Sequence, residues 1–177
     1  MPTREATLRL FTALWPDRAT RRALAACRDA VPWPPGTRPT PTDKLHLTLH
    51  FLGAVPASRL AALQGALDLP AKAFELRLDV VNAWPGGLVV LQSAHPPAAL
   101  AGLHAALGTA LRGLGLPVEQ RAFRPHVTLA RHALASATLP AMAAPLPWRV
   151  EGHALVHSTP QGRYRVLRHY RQEAAES

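Results

Sequence analysis

The chain has one cysteine, Cys27, and two lysines, Lys44 and Lys72, among its 177 residues. A single cysteine excludes an internal disulfide and a cysteine-based zinc site. Set among alanines in TRRALAACRDAV, Cys27 reads as a buried structural thiol rather than a nucleophile. No apolar run approaches the roughly 20 residues of a membrane span. The opening MPTREATLRLFTAL lacks the long apolar segment and small-residue cleavage site of a signal peptide, so a cytoplasmic protein with no membrane partner is expected. Three catalytic signatures are also missing. No G-x-S-x-G turn supports a serine hydrolase, and no G-x-x-x-x-G-K loop supports nucleotide-driven ligation. His46 and His50 stand four apart, the spacing of a helical zinc pair, yet the glutamate of H-E-x-x-H is absent and the intervening residues alternate as a strand.

What is present is arginine, proline and histidine. Lysine and arginine number 20 against 11 acidic residues, a net charge of +9, with nine histidines besides. Such a balance suits a polyanionic partner, although a biased base composition would write the same excess of arginine and alanine. Hydrophobic periodicity gives a strand at Ala6 to Leu14, and a helix opened by Pro16 and Asp17 running to about Val31. A proline-rich loop follows over 32–43, long enough to be functional or to cover something. Next come a strand from Leu45 to Leu52, a short helix over 57–67, and strands AFELRLDVVNAW and GLVVLQS joined across Pro85, Gly86 and Gly87. A helix over 97–114 precedes the strands HVTLAR, PWRVEGHALVHS and RYRVLRHY. The pattern is α+β with mostly antiparallel strands.

Within it lies a faint repeat. KLHLTLHFLG is echoed by RPHVTLARHA, with His46 and His126 80 residues apart, nearly half the chain. The echo predicts one bilobal unit over 1–177, with two pseudo-symmetric lobes of antiparallel strands and outer helices around a central cleft. The side-chain period of a strand puts His46, Thr48 and His50 on one face and Leu45, Leu47, Leu49 and Phe51 on the other. In the second copy His126 and Thr128 share a face. A lone strand histidine is usually structural. Two copies of His-x-Thr at matching places predict a shared site, because one imidazole can act as base while the other acts as acid. That pairing fits in-line displacement at phosphorus, with Thr48 and Thr128 donating hydroxyl hydrogen bonds to non-bridging oxygens. No metal or other cofactor is required by it.

The residues resemble the two-histidine (2H) phosphoesterases, and within them the RNA 2',3'-cyclic phosphodiesterases, also called 2'-5' RNA ligases. That family's paired H-x-T-x motifs are met as HLTL and HVTL, and RLFTAL, LHLTLHFLG, FRPHVTLARH and HSTPQGRYRVL look like its other blocks. The resemblance implies His46 as proton donor, His126 as proton acceptor, a 2'-phosphate product, and RNA with 2',3'-cyclic phosphate ends or cyclic nucleotides as partner. It implies no cofactor, and a monomer is expected. Arg131 after the second motif is kept, whereas His50 stands where the family commonly has arginine. His50 is therefore read either as a substrate contact or as a solvent-exposed strand-end residue. Phe11 offers a stacking face for a base, with core packing as the plainer reading. Tyr164 and Tyr170, interleaved with Arg163, Arg165, Arg168 and Arg171, are read as a backbone-tracking surface or as a charged edge strand. Trp15, Trp33, Trp84 and Trp148 are expected to seal the core. Two competing readings remain: a nucleotide-binding module without turnover, and a hydrolase of small cyclic nucleotides such as ADP-ribose cyclic phosphate in tRNA processing.

Overall fold

A computed structural model describes residues 5–133 and 139–171. Its strands are β1 (Thr7–Leu14), β2 (Arg38–Pro39), β3 (Leu47–Pro56), β4 (Phe74–Leu78), β5 (Val80–Trp84), β6 (Leu88–Gln92), β7 (His126–Arg131), β8 (Leu146–Val150), β9 (Gly152–Ser158) and β10 (Tyr164–Arg171). The helices are α1 (Arg18–Asp29), α2 (Leu60–Ala66) and α3 (Ala98–Gly113). Asp17 caps α1 by accepting the Thr20 amide at 2.7 Å, which satisfies one of the donors left open at a helix start. Along α3, Leu100, Leu103, Leu107, Gly108 and Leu111 form the buried stripe, the helical spacing that the leucines foretold.

The main sheet runs β10-β9-β1-β3-β7-β6-β5, with β2 beside β7, and β4 pairs β8 in a separate two-stranded sheet. This order has an approximate two-fold relation. Strand β1, helix α1 and strand β3 correspond to β6, α3 and β7; β9 closes onto β1 as β5 closes onto β6. The halves meet at β4·β8 and at β3·β7, where Leu47 opposite Val127 is the one registered pair. The two motif strands are thus central neighbours, tied at a single point. Antiparallel pairing through it sets Thr48 across from His126 and His46 across from Thr128.

Two expected strands are each broken in two. AFELRLDVVNAW leaves the small sheet at Asp79 to enter the large one, and PWRVEGHALVHS does the same at Glu151. Alternation marks an extended chain but not the sheet to which it belongs, so the switch left no trace in the pattern. Symmetry places both breaks at equivalent points.

The proline-rich segment is a strap rather than a free loop. Arg38 and Pro39 pair with Arg131 and Ala130 of β7, and Thr40 bonds the Thr128 and Leu129 carbonyls at 2.8 Å each. From the other side α1 holds it: Arg28 donates to the Thr40 carbonyl at 2.6 Å and Arg21 to the Thr42 and Leu45 carbonyls at 2.9 and 3.1 Å. One segment therefore fixes both lobes close to their motifs.

The face assignment along β3 needs correction. The β1·β3 register skips Leu49 and Leu52, two bulges, and each extra residue turns the following side chains over. Leu45, Leu47 and Leu49 are buried as expected. Phe51, expected in the core, is 73% exposed, and His50 is only 3% exposed.

Candidate active site

Both motif histidines are held by the same local device. His46 Nδ1 lies 2.6 Å from the Lys44 carbonyl and His126 Nδ1 lies 2.7 Å from the Arg124 carbonyl, each two residues upstream. A carbonyl only accepts, so Nδ1 carries the proton in both neutral rings and Nε2 keeps the lone pair. Nε2 of His46 accepts from the Thr48 hydroxyl at 2.9 Å. The i, i+2 spacing of strand side chains brings that partner alongside.

Around His46 is an aromatic wall. Phe11, Trp15 and Tyr164 have ring centroids 5.0, 5.7 and 5.5 Å from the imidazole. Phe11 satisfies both of its readings, since it is buried with Ala13, Ala154 and Val156 and still presents its ring to His46. Burial in this wall pushes His46 down to about 4; the Lys44 carbonyl opposes that shift, while the charges of Arg21, His126 and Arg131 add to it. His126 is also lowered by burial, against the Arg124 carbonyl and with the charges of Arg124 and Arg131. Arg131 thus acts electrostatically on both rings. Both imidazoles are held toward the neutral, basic form with cations around them, an arrangement that a bound anion would relieve.

Of the residues singled out in the sequence, His46, Thr48, His126, Thr128, Phe11, Arg131 and Tyr164 come together here. His50 does not, and neither of its two readings matches its place. Its Nε2 donates to the His104 carbonyl at 2.8 Å, and its ring stacks on His104 at 4.0 Å, with Phe123 stacked on the far side of His104 at 3.8 Å. The bulge at Leu49 turned it away from the motif face and against α3. The arginine-tyrosine surface divides as well. Tyr164 faces His46, whereas Tyr170 is buried, stacks on His153 at 4.6 Å and donates to the Gln64 carbonyl, with Arg168 paired to Asp68.

Two tryptophans were missed. Trp33 and Trp148 do join the core, but Trp15 stacks on His46, and Trp84 lies 4.4 Å from His126. Each carries a guanidinium on its ring, Arg21 at 5.0 Å over Trp15 and Arg124 at 4.2 Å over Trp84. Lys44 stands 5.2 Å over Tyr164. Neither is marked by the repeat, since Trp15 follows β1 and Trp84 ends β5, positions that the two-fold relation does not exchange. Among the described residues no three of His, Cys, Asp and Glu converge as a metal-binding group. Burial pushes the Cys27 thiol up, away from the thiolate.

Residues 16–161 match the family model described as the 2'-5' RNA ligase superfamily. The chain is 36% identical over 137 residues to an RNA 2',3'-cyclic phosphodiesterase of Escherichia coli, covering 75% of this chain and 76% of that one. It is 32% identical over 164 residues to an RNA 2',3'-cyclic phosphodiesterase of Thermus thermophilus, covering 85% and 82%. The crystal structure of E. coli LigT complexed with 3'-AMP superposes with a TM-score of 0.85 at 30% identity, over 94% of this chain and 98% of that one. With the paired motifs, the two-fold sheet and these likenesses in agreement, the chain belongs to the 2'-5' RNA ligase superfamily, among the two-histidine phosphoesterases.

Proposed function

We propose that this protein hydrolyses the 2',3'-cyclic phosphate ends of RNA to 2'-phosphates by two-histidine acid/base catalysis without a metal. The observation that carries the reading is the matched pair of imidazoles, each locked through Nδ1 to a backbone carbonyl so that Nε2 keeps the lone pair used for proton transfer. The relatives named as RNA 2',3'-cyclic phosphodiesterases support the substrate class. The unit that acts is the whole bilobal chain, working as a cytoplasmic monomer on RNA ends or on small cyclic nucleotides.

In this mechanism water attacks phosphorus opposite O3'. Nε2 of His126 takes the water proton, the P–O3' bond breaks, and Nε2 of His46 protonates the departing O3', leaving the phosphate on O2'. Charge grows on the non-bridging oxygens, where the hydroxyls of Thr48 and Thr128 and the charge of Arg131 act. When His46 is protonated it no longer accepts from Thr48, and that hydroxyl turns to the phosphate. With a 5'-hydroxyl in place of the attacking water, the same steps join it to the cyclic phosphate as a 2'-5' linkage.

The test is incubation with 2',3'-cyclic AMP and excess chelator, followed by assignment of the phosphate position in the product. Turnover to 2'-AMP is expected. Abolition by chelator removes the metal-free mechanism, and a 3'-AMP product reverses the leaving group. His46→Ala and His126→Ala should each lower kcat/KM by about 100-fold or more, while full activity in either variant would show that the acid/base pair is misassigned.

A further inference from the structure

Beside His126 stands more than activation of a water molecule requires: Trp84 lies 4.4 Å from its ring and Arg124 4.2 Å over Trp84. We infer that Trp84 and Arg124 form a second nucleoside subsite, which binds the 5'-hydroxyl nucleoside that adds to, or departs from, phosphorus on the His126 side; the inference rests on the proposed phosphodiesterase chemistry.

Each histidine has a tryptophan with an arginine stacked on it, yet the arginines are used differently. On the His46 side Arg21 is spent on the Thr42 and Leu45 carbonyls. On the His126 side the Arg124 side chain, among the described residues, makes no hydrogen bond or ion pair, and it lies exposed over the Trp84 ring. A planar, delocalised cation on an indole is a platform for a flat aromatic ligand. Directly across the β6·β7 register from His126 is Gln92, whose side-chain oxygen accepts from the Asn82 amide at 3.4 Å. Amides in that position supply donors and acceptors for a base edge. Arg38 and Arg131 are cross-strand neighbours without a carboxylate partner among the described residues. Like charges set opposite each other oppose pairing, and a phosphate-bearing ligand relieves them.

Chemistry gives the direction. The His46 side holds the ribose whose O3' is protonated, so the attacking group enters beside His126. With a nucleoside in the subsite, its 5'-OH passes its proton to His126 Nε2 as the P–O5' bond forms. The P–O3' bond breaks and O3' takes the His46 proton, giving a 2'-5' linkage. Cleavage of that linkage runs the same steps backward, with the nucleoside leaving through Trp84 and Arg124.

The test compares two probes that cannot recyclise because they lack a 3'-hydroxyl: 3'-deoxyadenylyl-(2'→5')-adenosine and 3'-deoxyadenosine 2'-phosphate. Affinities are measured by calorimetry on the intact protein and on Arg124→Gln, Arg124→Lys and Trp84→Phe. The unmodified protein is expected to prefer the dinucleotide by about tenfold or more, as one stacked base would give. Arg124→Gln brings that ratio to near one, and Arg124→Lys does not restore it, because an ammonium keeps the charge without the stacking plane. Equal affinities in the unmodified protein, or a preference that survives in Arg124→Gln, overturns the subsite. So does a loss in which both affinities fall together and the ratio stands. Turnover of 2',3'-cyclic AMP is followed on the same samples. Its absence overturns the hydrolytic reading separately, and the ratio still decides the subsite.

Discussion

The pH dependence of turnover should differ between kcat/KM and kcat, and the structure sets the size of the difference. In the free protein His46 is pushed down to about 4, and His126 lies below the ordinary imidazole value. The reactive form has one ring protonated and the other neutral. Since kcat/KM reports the free enzyme, its bell should lie at or below a pH of roughly 6.5, falling about tenfold per unit above that. Bound phosphodiester changes the balance. A single negative charge roughly 4 Å from Nε2 is worth about 4 kcal/mol at an effective dielectric constant near 20. At about 1.36 kcal/mol per unit, that raises His46 by about 3 units, to near 7. The upper limb of kcat should therefore appear at a higher pH than that of kcat/KM, and His46 becomes a competent proton donor only with substrate in place. Steady-state rates on 2',3'-cyclic AMP across about pH 5–9, with NMR titration of the His46 ring with and without 2'-AMP, check both limbs. A kcat/KM that stays flat to pH 8, or a free His46 titrating at its ordinary value, refutes the reasoning.

Two further perturbations follow from the scaffold. Arg21 holds the turn whose Lys44 carbonyl fixes the His46 tautomer, so Arg21→Gln should lower kcat about tenfold while KM changes little. Its lost charge should also shift the upper limb of kcat/KM upward, and a change confined to KM would contradict this positioning role. Burial pushes His104 down to about 4, the charge of His50 adds to that shift, and the Leu49 backbone opposes it. The unfolded chain protonates first, so stability present above a pH of about 6.5 is lost as pH falls toward 4, by about 1 kcal/mol at pH 5 for this half-buried residue once solvent screening is allowed for. His104→Phe keeps a ring between His50 and Phe123 and should remove most of that loss in urea unfolding at pH 7.5 and 5. An unchanged acid sensitivity would show that His104 is not its source.

The chemistry was legible where it was carried by neighbours in the chain. His46 with Thr48, and His126 with Thr128, share a strand period, and their doubling pointed to the candidate site and to the two-lobed sheet. The features that escaped depend on contacts between distant segments. A bulge belongs to a pair of strands, so nothing in DKLHLTLHFLG could announce that pairing with β1 would turn His50 inward and Phe51 outward. Asp79 and Glu151 lie inside continuous extended runs, and only the partners of β4 and β8 show that each run changes sheet. Trp15 and Trp84 carry the ordinary signs of core aromatics. Their role appears when a histidine from another strand is folded against each.

A two-fold scaffold cannot by itself assign unlike roles to two equivalent histidines. The carbonyl bonds at Nδ1 are the same on both sides and give both rings the same tautomer. What differs is the surroundings. His46 is enclosed by Phe11, Trp15 and Tyr164 and its Nε2 is already engaged by Thr48, while His126 has Trp84 at its ring. The more enclosed ring resists protonation most strongly with no anion beside it, yet a charge brought into the same low-dielectric setting acts on it most strongly too. Burial therefore makes His46 the ring whose protonation depends most on bound phosphate. In the proposed mechanism the asymmetry between acid and base arises from the aromatic wall, not from the repeated motif.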